Sequence, residues 1–161
     1  MISLEDIKTA HKNISNYIYK TPQVQSIALS NIDQRVSLKL ESMQITGSFK
    51  LRGAVNKLLS LSDEQKKRGV IAVSTGNHGK GVAYAAKQLG IKSKVFMSDL
   101  VPMYRRKAIE KFGAEVKIVG KNSDEADHYA KDYALKNNIE FVHPFDDLEI
   151  IAGQGTIGLE I

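Results

Sequence analysis

The sequence contains no cysteine. That rules out a disulfide framework, a thiolate zinc site and a cysteine nucleophile. No apolar run approaches the roughly 18 residues of a membrane-spanning helix, and the opening Met-Ile-Ser-Leu-Glu-Asp is not a signal peptide. No two histidines or carboxylates stand at metal-ligand spacing, and no internal repeat or low-complexity stretch appears. Basic clusters interleaved with aromatics, the footprint of nucleic-acid binding, are missing as well. The formal charge of +5 arises from 23 basic and 18 acidic residues that alternate along the predicted helices, as they do on solvated faces. These absences predict a cytoplasmic protein that binds neither nucleic acid nor membrane. What is present is globular: 161 residues, 42% hydrophobic and 25% charged, enough for one ordinary domain with a proper core.

Periodicity predicts a helix from Ser3 to Ile18, with Ser3 and Asp6 as a capping box and Ile7, Ala10, Ile14 and Ile18 as its apolar stripe. Thr21-Pro22 forces an extended step. Val24 to Asn31 reads as a short helical piece, and Arg35 to Leu40 as a half-buried strand. Helices follow over Phe49–Leu59 and Asp63–Arg68, the second with Ser62 and Gln65 as capping box. Then the pattern alternates: strand Val70–Ser74, helix Asn77–Leu89, strand Ser93–Ser98, helix Met103–Phe112, strand Glu115–Gly120, helix Asp124–Asn137 capped by Ser123, strand Glu140–His143. Short buried strands joined through helices predict an α/β fold, a three-layer parallel sheet with helices on both faces. A new helical pattern starts near Leu148.

Two stretches carry chemistry. The first is Glu41-Ser-Met-Gln-Ile-Thr-Gly-Ser-Phe-Lys-Leu-Arg-Gly-Ala54. Thr46-Gly47 marks a turn, Ser48 is a suitable N-cap, and Lys50 falls in the first helical turn. The helix dipole favours anions at that end, so an amine there loses its proton more easily and suits a nucleophile or base. The second is Ser74-Thr75-Gly76-Asn77-His78-Gly79, between a strand end and a helix start. Ligands bind outside the carboxyl ends of strands in open α/β sheets, and a helix N-terminus suits a carboxylate or phosphate. Glycines at 76 and 79 predict close approach of a ligand to the backbone.

Together these stretches resemble the pyridoxal-phosphate-dependent serine/threonine dehydratase family, enzymes of fold type II. Glu41, the Thr46-Gly-Ser-Phe-Lys50 string and Arg52-Gly-Ala54 match its lysine segment, and Ser-x-Gly-Asn-His-Gly matches its substrate loop. The resemblance implies pyridoxal 5'-phosphate in a Schiff base with Lys50, which also serves as catalytic base, with Phe49 against the cofactor ring and Asn77 on its ring hydroxyl. It implies an amino acid substrate held by Ser74, Thr75, Gly76, Asn77 and His78. The expected reaction is an ammonia-lyase conversion of L-threonine or L-serine to a 2-oxo acid and ammonia.

Racemases of the family carry serine where Thr75 stands, which makes two-face proton traffic doubtful here. Asp127 falls where racemase-like members have an arginine for an acidic group, so a neutral hydroxy amino acid is expected. His11 and His128 are read as solvated, His143 as structural, and Tyr104-Arg105-Arg106-Lys107 as a solvated helix start.

The resemblance also implies an architecture: residues 1–52 as the N-terminal part of a large domain, 53–147 as a small α/β domain, and 148–161 as the return into the large domain. Gly153-Gln-Gly-Thr156 matches the family's return point, so the chain is expected to be an N-terminal half, dimeric in a full-length form. The family's phosphate-cradling glycine loop falls beyond the match. A split, catalytically incompetent binding module is therefore the alternative. A nucleotide-binding domain is weaker, since Gly76, Gly79 and Gly81 do not make a Gly-x-Gly-x-x-Gly.

Overall fold

In the computed structural model, which describes residues 1–161, a capped first helix leads to a small hairpin. Helix α1 spans Leu4–Ile14, and the Ser3/Asp6 capping box forms as predicted. The helix stops four residues earlier than its apolar stripe suggested, in a turn after Ile14. Strands β1 (Gln23–Gln25) and β2 (Ser37–Lys39) then pair antiparallel. Residues 24–31, expected to include a helical piece, hold the end of β1 and turns instead. The strand predicted over Arg35–Leu40 exists in shortened form, but Ser37 and Leu38 are exposed rather than half-buried. A two-stranded ribbon has no second layer to cover it.

Helices α2 (Lys50–Ser60) and α3 (Asp63–Arg68) precede the main sheet. Strands β3 (Val70–Val73), β4 (Ser93–Met97), β5 (Glu115–Ile118) and β6 (Glu140–Phe141) form it in the order β5-β4-β3-β6, every pair parallel. Between them run α4 (Asn77–Gln88), α5 (Met103–Lys111) and α6 (Ser123–Asn137). Helix α6 starts one residue before its predicted start, because the Asn122 side chain, as good a cap as serine, accepts from Glu125 N.

Strand alternation builds the layers. On β4, Val95 and Met97 meet Ala83 of α4 and Ile109 of α5, while Phe96 points the other way to Ala130 and Ala134 of α6. On β3, Ile71 joins the α6 side, and Val70 and Ala72 pack towards α4 and α2 in the largest core. That core holds Leu51, Ala54, Val55 and Leu58 of α2 with Val82, Ala85 and Ala86 of α4, all fully buried.

A last helix, α7 (Leu148–Gly155), followed by a 3-10 turn over Thr156–Leu159, lies across α2. The two backbones touch through glycines. A Cβ on Gly153 would lie 2.6 Å from Gly53 Cα, and one on Gly53 would lie 2.8 Å from the Ile150 carbonyl. Any larger residue would push the helices apart.

Candidate active site

The turn before α2 places its first residue. Gly47, at φ +78°, takes the left-handed conformation that only glycine adopts cheaply. Ser48 does not cap the helix as predicted. Phe49 precedes α2 in helical conformation, and its carbonyl already receives Arg52 N at 3.0 Å. Ser48 thus sits one residue too early, and its buried hydroxyl has no partner.

Lys50 donates through Nζ to the Pro144 carbonyl at 2.7 Å, with the Phe49 ring centred 5.3 Å away. Burial holds its pKa below the ordinary lysine value. Helix α4 comes close to this turn because residue 81 is glycine: a Cβ there would lie 3.1 Å from the Lys50 carbonyl.

Arg52, two residues on, points the other way, since a helix turns about 100° per residue. Its fully buried guanidinium bonds Glu41 at 3.0 and 2.7 Å, Glu160 at 2.6 and 2.9 Å, and Thr156 at 3.2 Å. Lys39 adds a 2.6 Å bond to Glu160, and Thr21 donates to Glu41 at 2.6 Å. Burial depresses the Arg52 pKa, but the two carboxylates outweigh it and the net shift is upward.

At the carboxyl end of β3 a cleft of about 530 Å³ opens beside Lys50. Ser74, Thr75, Gly76, Asn77 and His78 line it, so the structure brings the two predicted stretches together. Phe49 lies beside the lysine. Gly76 faces open space, as close ligand approach requires. Gly79 does not: a Cβ there would lie 2.8 Å from Ile109 Cδ1 and 3.1 Å from Ser74 and Val95, which makes it a core glycine. His78 is buried, and its Nε2 donates to the Val142 carbonyl at 3.0 Å, leaving Nδ1 without a partner. Burial first, then the proximity of the Lys50 ammonium and of the His143 ring, push its pKa down to about 4 against the opposing Val142 bond, so the ring is neutral near pH 7.

Lys80, Tyr104 and Arg105 also line the cleft, and sequence reasoning missed them. Tyr104 and Arg105 are exposed, as a solvated helix start should be, yet they border the site. The signal was available in the topology: parallel neighbours β3 and β4 bring the loops after them side by side. With Lys50, the lining has three cations and no carboxylate. No side chain caps α4 or α5, and neither has an acidic residue in its first turn. The site therefore attracts anions.

Asp127 does not line the cleft; it pairs with Lys131 at 2.6 Å. His128 is exposed as expected, whereas His11 is half-buried. A separate hollow of about 450 Å³ between α6 and β6 mixes apolar side chains with Lys131, Asn138 and Glu140 and holds neither predicted stretch.

Comparisons with known proteins agree with this geometry. The chain is 47% identical over 163 residues to the L-threonine dehydratase catabolic TdcB of Staphylococcus aureus, matching all of this chain and 47% of that protein. It thus spans about half the length of the curated relatives it matches. A threonine deaminase from the organism abbreviated T.th. superposes with a TM-score of 0.89 at 41% identity, over 99% of this chain and 50% of that one. Serine racemase from Dictyostelium discoideum does so with 0.91 at 38%, over 99% and 52%. The model of the pyridoxal-phosphate dependent enzymes matches residues 14–161, from the end of α1 through the cleft to the last turn. The chain belongs to that family.

Proposed function

We propose that this chain supplies the lysine and the substrate loop of an ammonia-lyase that converts a hydroxy amino acid, such as L-threonine or L-serine, into a 2-oxo acid and ammonia. The observation that carries the reading is the meeting of Lys50, an amine of lowered basicity, with the Ser74–His78 loop in one anion-attracting cleft. The names of the Staphylococcus aureus and T.th. relatives support the same reaction.

The residues present fit pyridoxal phosphate. Lys50 offers the amine its aldehyde needs, the exposed Asn77 side chain and the Phe49 ring border that amine, and three cations without a carboxylate suit an anionic ligand. Lys50 would hold the group, with Phe49 and Asn77 against its ring. When bound, the group supplies an electron sink that makes the substrate α-proton removable.

The chain's own residues do the rest. The N-terminal amides of α4, with the Ser74 and Thr75 hydroxyls and Gly76, bind the substrate carboxylate and aim the α C–H bond at Lys50. Lys50 takes that proton, helped by burial that favours its neutral form. His78 stays uncharged, and its bond to Val142 steadies the loop. Nothing acidic lines the cleft, and Asp127 is engaged elsewhere, so the case against an acidic substrate side chain no longer rests on Asp127.

The division at residues 52 and 147 belongs to this proposal. It is supported by the Lys39 and Arg52 bonds to Glu160, which tie residues 1–52 to residues 148–161. No helix is long and apolar enough to cross a membrane; a cytoplasmic site of action and a dimeric full-length form complete the reading. The half-length match favours one further reading, a segment that binds without turnover, which ammonia release by the chain alone would remove.

The test is visible absorbance of the chain titrated with pyridoxal phosphate. Lysine-bound cofactor absorbance is expected in the wild type and none in Lys50→Ala. The same absorbance in both would defeat the reading.

A further inference from the structure

The segment from β6 to α7 is gripped by one edge of α2. Lys57, two turns after Lys50 and therefore on the same side, pairs with Glu140 and with Asp147, each at 2.8 Å. Between those anchors, alternate carbonyls serve the cleft: Val142 receives His78 Nε2 at 3.0 Å, and Pro144 receives Lys50 Nζ at 2.7 Å. The residue between them, His143, closes the turn. Its Nδ1 accepts from Asp146 N at 2.7 Å and Phe145 N at 3.3 Å, and its ring meets Phe145 edge-on at 4.6 Å. We infer that His143 is a positioning residue for Lys50: its imidazole holds closed the turn that presents the Pro144 carbonyl to the amine.

The choice of residue supports this. Accepting from the amides two and three residues on is a capping geometry usually made by Asn or Asp. The same chain makes it with Asn31, to Asp33 N and Gln34 N at 2.9 and 2.8 Å, and with Asp147, to Glu149 N and Ile150 N at 2.9 and 3.1 Å. At position 143 an aspartate would add a negative charge to the same turn that carries the acceptor of Lys50, which favours the ammonium. A neutral imidazole supplies the acceptor without the charge. The other titratable groups lining the cleft are His78 and Lys80 on α4 and Tyr104 and Arg105 on α5, none a carboxylate; of the two carboxylates on the turn's own segment, Asp146 is exposed and Asp147 pairs with Lys57. With Nδ1 accepting, the histidine proton is on Nε2.

The inference rests on Lys50 being the reacting amine, but its test reads the amine without cofactor. Reductive methylation of the chain with formaldehyde and a borohydride reductant, across a pH series, is scored at Lys50 by peptide mass spectrometry, with exposed Lys8 as reference. In His143→Ala the carbonyl swings away, the ammonium loses its acceptor, and Lys50 titrates lower. Labelling below the midpoint rises about five-fold. His143→Asn keeps the turn and superposes on the wild type. His143→Asp keeps the turn and adds a charge, so labelling falls about five-fold. An alanine profile equal to wild type, a higher midpoint in alanine, or asparagine moving as far as alanine overturns the assignment. Should the alanine variant not fold, equal profiles for asparagine and aspartate overturn it instead. A chain that fails to bind pyridoxal phosphate while giving these profiles would sink the enzyme reading and leave this one standing.

Discussion

Lys50 and Arg52 are two residues apart on one helix, yet they enter opposite electrostatic worlds. Arg52 lies in a closed cage, fully buried, with two carboxylates and a hydroxyl filling its donor fork. Lys50 lies at the rim of an open cleft with other cations, and its one partner is a backbone carbonyl. The cage is neutralised and rigid; the cleft is left short of negative charge. A fold places ion pairs where it must hold shape and withholds them where a ligand has to bring the charge.

Substituting the two cations in turn is the sharpest way to break this contrast. Arg52→Ala leaves Glu41 with only the Thr21 hydroxyl and Glu160 with only Lys39, and urea unfolding is expected to show a loss of about 3–5 kcal/mol. Lys50→Ala, at the open rim, should stay within about 1 kcal/mol of wild type while abolishing cofactor absorbance. Equal losses would erase the distinction.

Acid separates the regions next. The His78 pKa is depressed from 6.5 to about 4 in the folded chain, so the unfolded chain binds its proton first. Stability therefore falls as pH drops from about 6.5 to 4, by on the order of 3 kcal/mol, and His78→Asn should flatten that limb in a pH series of thermal melts. The cage answers at lower pH. Burial raises the Glu160 pKa, but the bonds from Arg52 and Lys39 outweigh it and the net shift is below 4.5. Its contribution is present above that value and lost as pH falls through the depressed one. A single transition unchanged by His78→Asn would mean the cleft histidine adds nothing.

Gly81→Ala probes the approach of α4 to the lysine turn. Its methyl would press on the Lys50 carbonyl, and a loss of about 1–2 kcal/mol with weaker cofactor absorbance is expected. The smallest effect belongs to Ser48→Ala. Removing a buried hydroxyl that has no partner should change stability by less than about 0.5 kcal/mol, read from urea midpoints at constant slope.

The sequence made the cleft legible because both of its motifs are local strings set at predictable places, a turn into a helix and a strand end. The cage was not, since Arg52 and Glu160 are 108 residues apart and no spacing rule joins them. Gly79 misled for a related reason: a glycine admits a ligand or a neighbouring helix equally well, and only packing tells which. Thr75 and Asn77 were readable from their motif, with Lys80 directly after it, while Tyr104 and Arg105 needed the strand order. The hairpin was lost because strands of three residues carry too little alternation to outweigh a few apolar side chains at helical spacing.

The glycine crossing of α2 and α7 bears on the order in which the molecule assembles. Gly53 N donates to Gln154 Oε1 at 3.1 Å across 101 residues of chain, so the helix that begins with Lys50 gains its final support only when a very long loop closes. Contacts of such range slow folding and form late. The acceptor of Lys50 itself, the Pro144 carbonyl, is 94 residues away, so both the helix and the amine it presents are completed by parts of the chain that follow the first three strands of the sheet.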